Sequence, residues 1–340
     1  MRRLLLAVAA CVLCAGASRS AAAPPVDLLQ LYEPVLYFHS QEDWAPERPE
    51  AFLADARLER QVARGTWKAA PPPLPTSKVG CTLDPCYRLN LPCPLRGGDA
   101  CYERLPVRTN EWQRPVIFGR LVAVPADSPP APGFTAPPRY LARYWLFYEF
   151  DDWHSLHRRL WQAHEADWES ITVGIGTDGS PQFAAYSQHC SGTLRPWGSV
   201  AKRGGTHPLA YVALGSHANY FTNVSSSTRF TECVKHGLAA TAAAKAASLV
   251  RIAQDRVVDR TGTSHPLGPA GLPGVQPLAL VPLDPTADAW ARFPGRWSEG
   301  QLLWLGTVPR SYASVSQGYG PSTPRWSSTS IPSLWHVDSS

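Results

Sequence analysis

Between Tyr140 and Gly192 the chain carries three strand-like segments in a row, with turn residues and no helical stretch separating the last two. The first, "YLARYWLFYEFDD", is dense in aromatic residues from Tyr140 to Phe150, the composition of a well-packed strand. The second, "DWESITVGIGTDG", ends in Asp178-Gly179, a hairpin-turn dipeptide, and the third, "QFAAYSQHCSG", returns from it. Consecutive strands joined by hairpins build an antiparallel sheet, and a doubly wound α/β fold would require helices between them. Further strands are expected at Val35–His39, in "PVIFGRLVAVP" and in "LAYVALGSHANYF", the last breaking at Gly215. The fold class that follows is mainly β, an antiparallel, jelly-roll-like β-sandwich with a few peripheral helices and long Pro/Cys-rich loops.

The helices expected are a short one from about Glu50 to Val62 and a long alanine-rich one, "GLAATAAAKAASLVRIAQDRV". Proline-rich "AAPPPLPTSK" and the cysteine-dense run after it read as surface loops, because proline gives the backbone no ladder donor. They form an insertion at about residues 66–104. The closing segment, rich in Trp and Pro, reads as irregular.

The start of the chain, "MRRLLLAVAACVLCAGASRSAAAPP", has the basic, apolar and small-residue zones of a secretory signal over residues 1–23, leaving 24–340 as one sandwich domain. Its apolar run is short of the roughly 20 residues a membrane helix needs, and no other stretch approaches that length, so no transmembrane segment is expected. "VAAC" ending at Cys11 has lipobox chemistry but stands very early for lipid attachment. The reading is a secreted or cell-surface protein. Loss of the signal removes Cys11 and Cys14 and leaves Cys81, Cys86, Cys93, Cys101, Cys190 and Cys233. An even number of cysteines in an exported chain favours disulfides, the first four within the insertion and Cys190 with Cys233 across the fold. A zinc site is the alternative, although gaps of four, six and seven residues offer no C-x-x-C pair.

A net charge of +5 is spread along the sequence, with no basic run, which speaks against nucleic acid. Thirteen tryptophans with 17% charged residues describe a folded chain with much aromatic surface to bury. Those rings serve as core anchors or as a sugar or lipid-interface platform. Asn223 opens an "NVS" glycosylation sequon, relevant where the host glycosylates exports.

"HEADWESITV", His164 to Val173, concentrates potential ligands at a strand's entry. Residues two apart on a strand share a face about 7 Å apart, so Asp167 and Glu169 project together and lead into Ile171 and Val173. His164 can fold back over the same spot. Two carboxylates and an imidazole converging on a point suit a divalent ion, since like charges that close need a cation or a proton. Oxygen-dominated ligation favours calcium, magnesium or manganese over zinc. The plain alternative is a solvated strand edge. His217, His189 and His207 are reserve ligands, and His154 and His157 lie in the loop before the motif. A serine hydrolase finds no support, because G-x-S-x-G is absent and the adjacent Ser216 and His217 would face opposite sides of one strand. The zincin H-E-x-x-H is absent too.

"HEADWES", "YSQHCSG", "HPLAYVALGSHANYF", "GRWSEGQLLWLG" and "YGPSTP", with the N-terminal "YEPVLYFHSQEDWAPERPEAFL", resemble the family of vacuolar protein sorting-associated protein sixty-two, in order from about Tyr32 to Pro324. The biochemical role of that family is largely undefined. A more distant likeness is to the necrosis-inducing, plant-cytolytic toxins, whose histidine-rich heptapeptide ends in Asp-Trp-Glu. That resemblance implies a β-sandwich with a divalent cation held by His164, Asp167 and Glu169 and by an acid from the preceding loop, Asp151 or Asp152. The chain departs from the motif at Ala163, where the toxins have glycine, and at Ala166, where they have a second histidine. The roles left open are cation-mediated binding of a lipid headgroup or glycan, metal-dependent hydrolysis of an ester or phosphoester, and a structural motif with no ligand.

Overall fold

The computed structural model describes residues 27–93, 101, 111–154, 160–188, 191–223, 259–298, 301–305, 314–316, 328 and 336–337. In chain order its elements are α1 (Asp27–Leu31), β1 (Val35–Phe38), α2 (Pro49–Asp55), β2 (Arg57–Ala63), β3 (Thr66–Ala69), β4 (Tyr87–Asn90), β5 (Val116–Ala123), β6 (Tyr140–His154), β7 (Leu160–Ile175), β8 (Pro181–Gln188), β9 (Ser191–Pro196), β10 (Lys202–Arg203), β11 (His207–Val212), β12 (Asn219–Tyr220), β13 (Ser264–Gly268), β14 (Gln276–Pro277), β15 (Ala279–Pro282), β16 (Gln301–Leu305), β17 (Ser314–Ser316) and β18 (His336–Val337). The fold is mainly β. The segments expected as a signal and as an alanine-rich helix, with His189, Cys190 and Cys233, lie outside the described residues.

The larger sheet runs β15-β5-β6-β7-β8-β9-β18, with β16 pairing the start of β7 and β17 pairing β16. β5 to β9 form an antiparallel meander, as the hairpin signals predicted, and the two outer strands β15 and β18 add in parallel. The smaller sheet runs β10-β11-β1-β13-β14, with β12 on β11, and is mixed. Its inward residues Leu36, Phe38, Ala210, Val212 and Leu267 meet Tyr144, Ile171, Val173 and Tyr186 of the larger sheet in one core. Tyr186 spans the two layers, stacking on Phe221 at 3.8 Å and donating its hydroxyl to the carbonyl of Leu209 at 2.8 Å.

The described part of β6 is buried on both faces over almost its whole length, and the reason is what covers its outer side. Phe147 and Trp168, opposite each other on β6 and β7, pack against Phe52 of α2 and against Trp290 and Trp297. Several tryptophans are therefore core anchors: Trp44, Trp145, Trp153, Trp290 and Trp297 are all buried.

Three sequence expectations need correction. The helix expected to Val62 stops at Asp55, because Arg57–Ala63 find strand partners on both sides and pairing overrides local propensity. The insertion expected as loops contributes β3 and β4 to a three-stranded sheet with β2. The closing segment expected as irregular supplies β16, β17 and β18 to the larger sheet. Within the insertion Cys81–Cys86 and Cys93–Cys101 are disulfide-bonded, which removes these four from zinc chemistry and fits an oxidising compartment. Among the described residues no helix is long and apolar enough to cross a membrane.

One buried group on β6 works against stability. Glu149 is fully buried, neither carboxylate oxygen has a hydrogen-bond partner among the described residues, and burial, followed by the charge of Asp55, pushes its carboxyl up to about 7. The unfolded chain ionises near 4.5. Folding is thus favoured below that value and loses stability as pH climbs toward 7, by about 3 kcal/mol for a shift of this size. Glu149→Gln is expected to flatten the pH dependence of the urea midpoint between pH 4.5 and 7 and to raise stability at pH 8. An unchanged slope would contradict this.

Candidate metal centre

The β6–β7 ladder sets the site. Its register places Leu146 opposite Glu169, Tyr148 opposite Asp167 and Asp151 opposite His164. Asp167, Glu169, Ile171 and Val173 share the face turned toward the smaller sheet, so the pair of carboxylates leads into the apolar row as the alternation predicted. The pair is more enclosed than an entry position implies: Asp167 is 7% exposed and Glu169 4%. His164 is inside the strand and not before it.

Strict alternation would put His164 and Asp167, three apart, on opposite faces. They converge because Ala166 between them has φ +55°, in the left-handed region, which turns the strand about its own axis. One carboxylate oxygen each from Asp151 and Asp167 and a ring nitrogen of His164 then lie within 4.8 Å of one another. That spread is what three ligands of one oxygen-preferring cation show when each stands about 2.0–2.6 Å from it. The arrangement could hold a metal ion.

Local bonds aim each group. Nδ1 of His164 lies 3.1 Å from the carbonyl of Glu165, the position of a donating N–H, which leaves Nε2 as the lone-pair nitrogen, 3.4 Å from Oδ2 of Asp151. Oδ1 of Asp151 accepts from the backbone N–H of Trp153 at 2.9 Å. Each ligand thus uses one atom to hold itself and turns the other inward.

The groups around these three residues come from parts distant in sequence. The turn between β11 and β12 brings in His217, which is fully buried and at φ +52°. Its Nδ1 is 3.0 Å from Oδ2 of Asp167, and its Nε2 stands 3.6 Å from Oε1 of Glu42, an ion-pair distance too long for a hydrogen bond. The imidazole lies flat on the Tyr148 ring at 3.8 Å with 4° between planes, as a cation over a π-face would. Glu42 in turn accepts from the backbone N–H of Gly215 at 2.7 Å and of Trp44 at 3.0 Å. Glu169 accepts from the hydroxyl of Ser187, which itself accepts from the backbone N–H of Ser170 at 2.7 Å.

The electrostatics are lopsided. Glu42, Asp151, Asp167 and Glu169 are four buried carboxyl groups, and His164 and His217 are the imidazoles among them. Burial, then the charge of Asp167, holds the carboxyls of Asp151 and Glu169 well above the ordinary carboxylate range. Burial opposes a charge on His217, but Glu42 and Asp167 outweigh it and lift the imidazole to about 10. The His217 imidazolium faces four carboxyl groups, while His164 presents a lone pair, so a divalent cation would balance the carboxylates that ionise.

Ala166 is a test of the geometry. A left-handed β-branched residue is a genuine outlier, and the alanine is fully buried. Ala166→Val is expected to lose about 2 kcal/mol in denaturant unfolding, while Ala166→Gly stays within about 1 kcal/mol of the parent. Equal effects of the two substitutions would mean the left-handed turn is not what shapes the strand here.

Of the residues singled out in the sequence, His164 and Asp167 meet in the ligand group, and the acid that joins them is Asp151. Asp152 is not in that group; it lines an open cleft of about 260 Å³ with Glu42, Trp44, Gly215 and Arg260. Glu169 stands beside the group, held by Ser187. His217 approaches through Asp167, and His207 is elsewhere, with Nδ1 against the carbonyl of Glu33 at 2.9 Å. His189, His157 and the side chain of His154 lie outside the described residues. Asn223 is exposed, and its side-chain oxygen accepts from the hydroxyl of Thr261 at 2.8 Å. Glu42 was missed: in sequence it is one acid in a proline-flanked loop, and only β1 and the Gly215 turn bring it here. Comparison with protein-family models, curated proteins and solved structures finds no match to this chain.

Proposed function

We propose that this chain is an exported β-sandwich protein that holds one divalent cation between Asp151, His164 and Asp167 and uses the positions left on that ion to bind an anionic or hydroxylated ligand, a lipid headgroup or a glycan. The observation that carries the reading is the convergence of three inward ligand atoms within 4.8 Å inside a buried cluster with excess carboxylates. Two carboxylates to one imidazole favour calcium, magnesium or manganese over zinc. The ordered sequence blocks supply the family reading, membership of the vacuolar protein sorting-associated protein sixty-two family, and the Asp-Trp-Glu likeness supports a cation at the same residues. The substitution of Ala166 for the toxins' second histidine counts against a cytolytic role.

The test is metal content of the undialysed protein, followed by calorimetric titration of calcium and manganese into chelator-treated wild type and Asp151→Asn. One equivalent in the wild type and at least tenfold weaker binding in the variant are expected. Indistinguishable titrations would refute the site. A second reading is favoured by one feature: Glu169, whose carboxyl burial and Asp167 push upward, could exchange a proton with an ion-bound water in ester or phosphoester hydrolysis. Turnover of a substrate panel by wild type, lost in Asp167→Ala, would establish it in place of simple binding.

A further inference from the structure

We propose that His217 is a positioning residue for the cation site, one that fixes Asp167 and does not itself touch the ion. The proposal rests on the cation reading above and deepens it. Nδ1 of His217 is committed to Oδ2 of Asp167 at 3.0 Å, so the carboxylate presents its other oxygen for coordination. Nε2 faces Glu42 at 3.6 Å, on the far side of the ring, and neither nitrogen belongs to the group of converging ligand atoms. The ring has no freedom to swing toward the ion. It is clamped flat on Tyr148, and its own backbone N–H donates to the carbonyl of Ala213 at 3.0 Å. The turn that carries it is anchored at three further points: Gly215 N–H to Glu42, Leu214 N–H to the carbonyl of Arg260, and the Gly215 carbonyl accepting from Asp152 N–H. That last bond ties the turn to the residue next to the ligand Asp151. Outer-shell groups of this kind typically change metal affinity by about 10–100-fold when removed.

Two substitutions separate the donor from the backbone. Position 217 needs a residue that accepts positive φ, and both asparagine and glycine do. His217→Asn retains an N–H donor near the place of Nδ1, whereas His217→Gly has none. Manganese affinity of the full chain, read from the electron paramagnetic resonance of free Mn²⁺, is expected to fall about 10–100-fold in His217→Gly and to stay within about threefold of wild type in His217→Asn. Equal losses in both variants, or no loss in glycine, would overturn the proposal.

A measurement on the unmutated protein guards against a glycine variant that does not fold. With ¹¹³Cd²⁺ as the probe and ¹⁵N-labelled histidine, a one-bond cadmium–nitrogen coupling is expected at Nε2 of His164 and none at His217. Coupling at His217 would make it a ligand and end the proposal. Failure of the wild type to bind either Mn²⁺ or Cd²⁺ would instead remove the cation reading itself, and this inference with it.

Discussion

Asp167→Asn is expected to abolish cation binding while leaving the apo protein at least as stable as the parent. Asp167 touches the site twice, offering an oxygen to the converging group and accepting from His217. It is also the charge that most raises the neighbouring carboxyls of Asp151 and Glu169 after burial itself. Asparagine keeps the shape and an acceptor for His217 but removes one negative charge from a buried cluster that has too many. Without an ion, that relieves repulsion. With an ion, the site loses a charged ligand and a binding loss of 100-fold or more is expected. In a thermal or denaturant assay at a cation concentration 100 times the parent's dissociation constant, the parent gains about 2.7 kcal/mol from the ion and the variant gains nothing. A variant that is destabilised without cation, yet still gains stability from it, would mean that Asp167 serves the fold and not the ion.

Gly215→Ala is the second large effect, and it acts from outside the ligand set. Gly215 has φ +76°, and a Cβ there would stand 2.5 Å from the carbonyl oxygen and 2.8 Å from the carbonyl carbon of Asp152. Neither partner can yield easily, since that carbonyl belongs to β6 and Asp152 N–H already donates to Gly215. A left-handed alanine plus a backbone clash is expected to cost about 2–4 kcal/mol. The strand end that is pushed carries Asp151, and the turn that recoils carries His217, so cation affinity should fall with stability. Urea unfolding with and without manganese checks both. A variant of wild-type stability would show that the turn and β6 approach less closely than described.

Much of the fold was legible because it rests on local signals. The aromatic density of Tyr140 to Phe150 and the Asp178-Gly179 turn are written into adjacent residues, and β6, β7 and β8 follow from them. β2 was not legible: Arg57–Ala63 have no strong preference for a strand, and partners on both sides decide the outcome. The C-terminal strands failed for the same reason, since β16 exists by pairing with β7. Within the site, the shared face of Asp167 and Glu169 followed from period-two alternation. The convergence of His164 did not, because nothing in "HEADWES" marks Ala166 as left-handed. Alanine is among the residues that seldom adopt that conformation. The role of His217 depends on Gly215 bending the chain between β11 and β12, which the sequence signalled only as a break. Glu42 carried no local sign at all.

Diffraction from crystals soaked in manganese, recorded at a wavelength where the metal scatters anomalously, tests the central claim most directly. A single strong anomalous peak about 2.0–2.4 Å from one oxygen each of Asp151 and Asp167 and from Nε2 of His164 is the predicted result. Crystals that show no anomalous peak there, with the three side chains turned away from one another, would contradict the account.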